Sequence, residues 1–124
     1  MADKKKEKTP QQRGRAAKRK GAVGERELVH KLKELGFETR RTAQYNGKSN
    51  EALADLVGIE GIHIEVKRVE KLNLDLAMAQ AIRDSKEDEV PMVFHRKNRK
   101  GWLVTMTIED WAIREKYFQR EWEE

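Results

Sequence analysis

Apolar residues recur along this chain in two rhythms. Leu28, Val29, Leu32 and Leu35 return every three or four positions, the spacing of one helix face. They predict a helix over residues 23–35, with Gly36 as its C-terminal cap. Phe37–Thr42 reads as a short strand. Residues 43–52 are polar, contain Asn46-Gly47 and read as a loop. The period then drops to two. In Ile62–Val69, Ile62, Ile64 and Val66 alternate with His63, Glu65 and Lys67, a strand with one buried face. Leu53–Ile59 precedes it as a hairpin partner, with Gly58 and Gly61 near the turn. Helical spacing returns at Leu74, Ala77, Met78, Ala81 and Ile82, behind an Asn73 N-cap, and runs to about Ser85. After the acidic stretch DSKEDE, two strands, Val90–His95 and Trp102–Thr107, flank the basic turn RKNRKG. Thr107 and Asp110 fall at capping-box spacing ahead of a last helix carrying Trp111, Tyr117, Phe118 and Trp122. The order α-β-β-β-α-β-β-α predicts an α/β (α+β) fold, a mixed central sheet flanked by helices.

Composition changes this picture at one end. The 124 residues suit one domain, and 40% charged against 37% hydrophobic residues leave a modest core. No run of about 18 apolar residues is present, so no membrane-spanning helix is expected. The basic start has no apolar stretch behind it, so no secretory signal is expected. With no cysteine, disulfides and thiolate zinc sites are excluded, which suits a cytoplasmic protein. The net charge of +5 is uneven. Residues 1–20 hold nine Lys/Arg and two acids, whereas residues 21–124 hold 18 and 20. The first 20 residues have almost no large apolar side chain, which predicts a disordered basic tail ahead of a domain over 21–124. Such an arm supplies salt-dependent attraction to phosphates, or serves solubility or targeting.

The candidate chemistry lies on the alternating strand. Glu65 and Lys67 share the face opposite Ile62, Ile64 and Val66. A two-residue turn would put Asp55 on the wrong face. A three-residue turn, Ile59–Gly61, sets Asp55 across from Glu65, with Cβ atoms about 5 Å apart. Two carboxylates that close repel unless a cation lies between them, and Mg²⁺, which takes oxygen ligands, suits the pair. Glu25 stands three, four and seven residues before Leu28, Val29 and Leu32, on the apolar helix face. It is either a third acid of the site or an N-terminal helix acid favoured by the dipole. His63 shares the face of Glu65, as ligand, general base or packing neighbour. Gln80 either faces the same cleft or is an ordinary helix-surface residue. Arg96, Lys97, Arg99 and Lys100 crowd a hairpin tip, where phosphate contact competes with a plain solvated turn. Arg40, Arg41 and Lys48 flank the proposed cleft.

These residues resemble a known family. "ALADLVG…IHIEVKR" resembles the motif of the PD-(D/E)XK nuclease superfamily, and "GERELVHKLKELGFETRR" resembles the opening of the archaeal-type Holliday junction resolvases. "VPMVFHRKNRKGWLVTM" resembles small phage-encoded members. The likeness covers about residues 20–107 and implies a restriction-endonuclease-like fold and a Mg²⁺-dependent endodeoxyribonuclease, with Mn²⁺ able to substitute. It matches Asp55 and Glu65 to the metal-binding acids, Lys67 to the catalytic lysine, Glu25 and Arg26 to the first-helix pair, Arg41 to the arginine ending the first strand, and Ser49 to a loop serine. It further implies that the Val66 carbonyl joins Asp55 and Glu65 on the metal, that Glu25 acts on it through water, and that a homodimer nicks branched DNA symmetrically. Ala54 stands where the motif's proline would be, and the 43–52 loop departs from the archaeal enzymes. Phage origin would place the protein in the cytoplasm of a bacterial host. Other readings stay open: a nuclease for duplex, flapped or single-stranded DNA; a non-catalytic nucleic-acid-binding module; and a ribosomal-type protein.

Overall fold

The computed structural model describes residues 9–42 and 54–123. Eight elements follow in the expected order: α1 (Pro10–Glu34), β1 (Arg40–Arg41), β2 (Leu56–Val57), β3 (Ile62–Arg68), α2 (Leu74–Asp84), β4 (Val90–Arg96), β5 (Leu103–Thr105) and α3 (Ile108–Glu123). The strands form one sheet in the order β1-β2-β3-β4-β5. Every neighbouring pair is antiparallel except β3 and β4, which run parallel from Ile62↔Val90 to Arg68↔Arg96. Parallel neighbours need a crossover, and α2 supplies it. No helix among the described residues is long and apolar enough to cross a membrane.

The first helix corrects the expectation of a disordered tail over 1–20. It starts at Pro10, so residues 10–20 are helical. The cause is a capping box. The Thr9 hydroxyl accepts from the Gln12 N–H at 3.1 Å, the Gln12 side-chain oxygen accepts from the Thr9 N–H at 2.9 Å, and Pro10 occupies the first helical position. Gln, Arg, Ala and Lys are good helix formers, so a helix anchored further along extends back to this cap. At the other end the Phe37 N–H donates to the Leu32 carbonyl at 2.8 Å and the Gly36 N–H to Lys33 at 3.0 Å. Gly36 takes φ +97° there, as a Schellman cap requires. The rest of the expected tail, and the loop that contains Lys48 and Ser49, lie outside the described residues.

The sheet is covered on both faces. Leu28 and Leu32 of α1 pack on Leu56, Ile64, Val66, Met92 and Phe94. Ala77 and Ala81 of α2 pack on Val93 from the other side. Ile82, expected on the same stripe of α2, is instead half exposed. Burial also corrects the one-faced strand: His63 and Glu65, on the polar side of β3, are 1% exposed. Asn73 caps α2, accepting from the Leu76 N–H at 3.1 Å. Thr107 accepts from the Asp110 N–H at 3.2 Å at the start of α3.

α1 approaches β3 most closely at Gly24. A Cβ there would lie 2.6 Å from the Arg68 Cβ, so only glycine fits. Gly21, one turn earlier, faces open space. Gly24→Val should therefore destabilise the fold by about 1–3 kcal/mol through overpacking, while Gly21→Ala should stabilise it by roughly 0.5–1 kcal/mol through helix propensity. Urea unfolding of both variants, with opposite shifts in midpoint, checks the close approach.

Candidate active site

The hairpin register brings the two central acids together. Leu56 pairs with Ile64, which sets Asp55 across from Glu65, as a three-residue turn requires. Gly58 and Gly61 adopt φ +127° and +84° at that turn. Regular pairing then stops. The Asp55 N–H donates to the Ile64 carbonyl at 2.9 Å, and the Val66 N–H donates to Asp55 Oδ2 at 2.8 Å. A carboxylate oxygen thus takes the place of a ladder carbonyl, and the side chain is held by backbone.

Glu65 is held from the other side. Its Oε1 lies 2.7 Å from His63 Nε2, with both residues buried. The ring nitrogen donates in the tautomer protonated at Nε2, the arrangement that an ionised carboxylate, which only accepts, requires. His63 Nδ1 lies 4.0 Å from Glu89 Oε1. Lys67, two residues along the same face, donates from Nζ to Gln80 Oε1 on α2 at 3.2 Å. Glu25 lies inward as its spacing predicts, its side chain 15% exposed and 3.4 Å from Arg41 Nε. Burial pushes the Asp55 carboxyl up to about 7; the charge of Glu65 adds to the rise, the Val66 N–H opposes it, and the charge of Glu25 raises it further. Asp55, Glu65 and Glu25 therefore share one field, with Lys67 and Gln80 on the flank. Among the described residues, no three His, Cys, Asp or Glu side chains are grouped tightly enough to enclose a metal by themselves.

The cationic residues divide. Arg40 is exposed on β1, and Arg26 is exposed on α1. Lys97, Arg99 and Lys100 are exposed on the β4–β5 turn, which is tied down by the Asn98 N–H donating to Glu70 at 3.0 Å. Arg96 is engaged instead with Glu27 and with the Lys100 carbonyl at 2.6 Å. Glu27 also accepts from Arg68 Nε at 3.1 Å, so it joins α1 to both β3 and β4. Sequence reasoning missed Glu27, as it missed Glu89, because their partners are distant in the chain. His95, paired across from Lys67, lies 2.8 Å from the Thr105 hydroxyl. Burial and then the Lys97 charge hold its pKa below the usual value.

Residues 16–109 match the sequence profile of the archaeal Holliday junction resolvase (Hjc) family. Among solved structures, the chain is similar to Archaeoglobus fulgidus Hjc, a Holliday junction resolvase from an archaeal hyperthermophile. The likeness is 25% in sequence identity, covers 66% of this chain and 72% of that one, and has a TM-score of 0.50. No curated protein matches.

The raised Asp55 pKa has a signed consequence for stability. The folded state holds the proton more tightly than the unfolded chain, where the group titrates near 3.8. Stability from this linkage is complete below about pH 4, falls as pH rises through about 7, and is absent above. Asp55→Asn keeps an acceptor for Val66 and removes the charge. In chelator, the variant should lose this downward slope and melt higher than wild type at pH 8. Thermal melts across that range check it.

Proposed function

The chain belongs to the archaeal Holliday junction resolvase family, and we propose that it is a metal-dependent endonuclease that hydrolyses phosphodiester bonds in branched DNA. One observation carries the reading: the partly buried Asp55 and the fully buried Glu65 come together across the β2–β3 hairpin, beside Lys67 on the same sheet face. A cation between them would offset both the burial and the Glu65 charge that raise the Asp55 pKa. Hard oxygen donors suit Mg²⁺, which keeps several waters and needs only one or two carboxylates, with Mn²⁺ as a substitute. Asp55 and Glu65 would hold it with the Val66 carbonyl, and Glu25 would act through water. Bound there, the ion supplies Lewis-acid activation of the scissile phosphate and of the attacking water. Lys67 orients that water and stabilises charge on the phosphate, and Gln80 holds the lysine in place.

The DNA backbone would be met by Arg26, Arg40 and Arg41 at one edge and Lys97, Arg99 and Lys100 at the other. Lys48 and Ser49, from the loop between β1 and β2, would join them. Arg96 contributes through the turn it secures. A cleft of about 680 Å³, lined by Leu72, Leu74, His95, Lys97, Lys100 and Trp102, continues the active face beyond Lys67. The basic first half of α1 adds phosphate attraction. A four-way junction has two equivalent strands to nick, which a homodimer would serve symmetrically.

His63 acts in this reading as a positioning residue. Holding one oxygen of Glu65 at 2.7 Å would leave the other available to a metal held with Asp55. Hydrogen bonds to metal ligands of this kind are worth about 10–100-fold in affinity. His63→Leu should weaken Mn²⁺ binding by about that factor in calorimetry, whereas His63→Gln, which keeps a donor, should retain most of it.

The cleavage test uses labelled four-way junction, linear duplex and single strand with Mg²⁺. Paired nicks confined to the junction are expected, with Lys67→Ala slower by about 10²–10⁴-fold and Glu65→Gln inactive. Equal cutting of all three substrates would remove the junction preference and keep the nuclease. Binding without cutting in either metal would replace the enzyme with a nucleic-acid-binding module.

A further inference from the structure

The cavities at the two ends of β3 differ in charge. At its start, a cavity of about 290 Å³ is lined by Glu60, Asp84, Asp88 and Glu89, with Lys86 as its one cation, a setting that repels phosphate. At its end, the cleft of about 680 Å³ opens between the start of α2 and the β4–β5 turn. Glu70 is the one carboxylate there, and it is committed to the turn, accepting from the Asn98 N–H at 3.0 Å. Lys71, Lys97 and Lys100 stand exposed at the mouth, and among the described residues no carboxylate pairs with them. A DNA strand passing Lys67 would therefore leave the site toward this end.

Inside, the cleft is apolar and carries a ring. Lys67 pairs with His95 in the parallel register, and His95 with Leu103 across β5. Paired residues share a sheet face, so the three form a row, with neighbouring strands about 4.8 Å apart. Leu72 and Leu74 wall the row from the side of α2. Leu103 is 62% exposed, an apolar side chain left open to water. The His95 ring is fixed, its Nε2 2.8 Å from the Thr105 hydroxyl, and burial with the Lys97 charge favours its uncharged form.

A fixed ring, apolar walls and lysines at the mouth are the combination by which proteins hold an unstacked base and its phosphate. A base inside a duplex presents only its edges, whereas one turned out of the stack presents a face. Turning it out costs least where pairing is already broken, which in branched DNA is the branch point. We propose that this cleft is a nucleotide subsite: it takes one unpaired DNA nucleotide beside the scissile phosphate, with the base against His95 and the leucines and the phosphate at Lys97 and Lys100. The subsite rests on the endonuclease reading for the position of the cut strand. It makes branch selection a property of this cleft and not of the metal site.

A base-removal cycle tests it. The full chain is titrated in EDTA, so that no strand is cut, against four-way junctions that are intact or carry one abasic nucleotide, placed in turn within two positions of the branch point. Wild type should lose about 5–100-fold in affinity at one of these positions, the range for one stacked base. His95→Ala should lose a comparable factor on the intact junction and no more than about threefold further when that base is also removed. Leu103→Ala, an exposed change that circular dichroism should find folded, should show the same coupling with a smaller loss. Lys97→Gln, which removes a phosphate contact, should weaken intact and abasic junctions by one factor. Losses that multiply, or a wild type indifferent to base removal at every position, would overturn the subsite. Lighter sedimentation of Leu103→Ala than of wild type, with equal losses on every junction, would overturn it in favour of a second copy of the chain in the cleft. Coupling without any cutting in Mg²⁺ would keep the nucleotide cleft and remove the nuclease, whereas cutting without coupling would remove the cleft and keep the nuclease.

Discussion

Two carboxyl groups set side by side, one buried and one largely so, repel, and away from bulk water neither can be left without a partner. Asp55 and Glu65 are placed in that position by the hairpin register, and the structure answers each separately. Asp55 is satisfied by a backbone N–H, at the cost of a ladder bond on the β2 edge. Glu65 is satisfied by a buried histidine. Neither partner offsets the loss of hydration or the mutual repulsion, and burial first, then the Glu65 charge, keeps the Asp55 carboxyl high. Lys67, the nearest cation along the same face, is engaged with Gln80 on the flank. Under the proposed function, stability and activity oppose each other here: the geometry that disfavours two ionised carboxyls would also favour a hard cation.

Holding such a site requires the layers around it to stay in register, and α1 does this through two unlike contacts. Gly24 lets the helix backbone approach β3 without a side chain between them. One turn later, Glu27 reaches Arg68 on β3 and Arg96 on β4, so a single half-buried carboxylate fixes the helix against both parallel strands. Exposed ion pairs contribute little. This one is partly buried and links three elements, so removing Glu27 would leave two arginines together without compensation. Glu25, on the same turn of α1, is thereby held where its charge acts on Asp55.

Much of this was legible in the sequence, and the failures have physical causes. Element order followed from periodicity, because apolar spacing reports which face is buried whatever covers it. Glu25 was readable as inward because Leu28, Val29 and Leu32 define the face it shares. The odd turn was readable because an even one would have sent Asp55 to the other side. The helical start at Pro10 was missed although Thr9, Pro10 and Gln12 spell its cap. Charge density argued for disorder over that segment, and a local cap prevailed where the helix was already anchored downstream. His63 and Glu65 looked half-solvated because alternation alone cannot tell that α2 covers the polar face. Glu27 was beyond reach in kind, since its partners lie 41 and 69 residues away, and periodicity carries no information about such pairs. The roles proposed for Lys67, Asp55 and Glu65 rest on their grouping in space and on the family, and those proposed for the exposed arginines and lysines on where they stand.

The charge distribution explains how an acidic site could accept an acidic substrate. Outside its first 20 residues the chain is slightly negative in sum, so attraction to DNA cannot come from net charge of the domain. It must come from where the cations stand. Arg40 and Arg41 lie on the edge strand β1, Lys97, Arg99 and Lys100 on the turn at the opposite side of the sheet, and Arg13, Arg15, Arg19 and Lys20 along the exposed first half of α1. Many of the acids, by contrast, lie in the site itself, in the connection between α2 and β4, or along α3. Phosphates approaching the cleft would meet cations on its rims before they meet its floor, and screening over about 10 Å at moderate salt keeps the floor's repulsion local. Only the scissile phosphate needs to pass within that distance of Asp55 and Glu65, and it is the one phosphate that a bound divalent ion would neutralise. In the proposed function, recognition would fall to the rim and chemistry to the floor. The rim cations stand on the sheet edges, a turn and a helix extension, where they can vary without disturbing the buried pair.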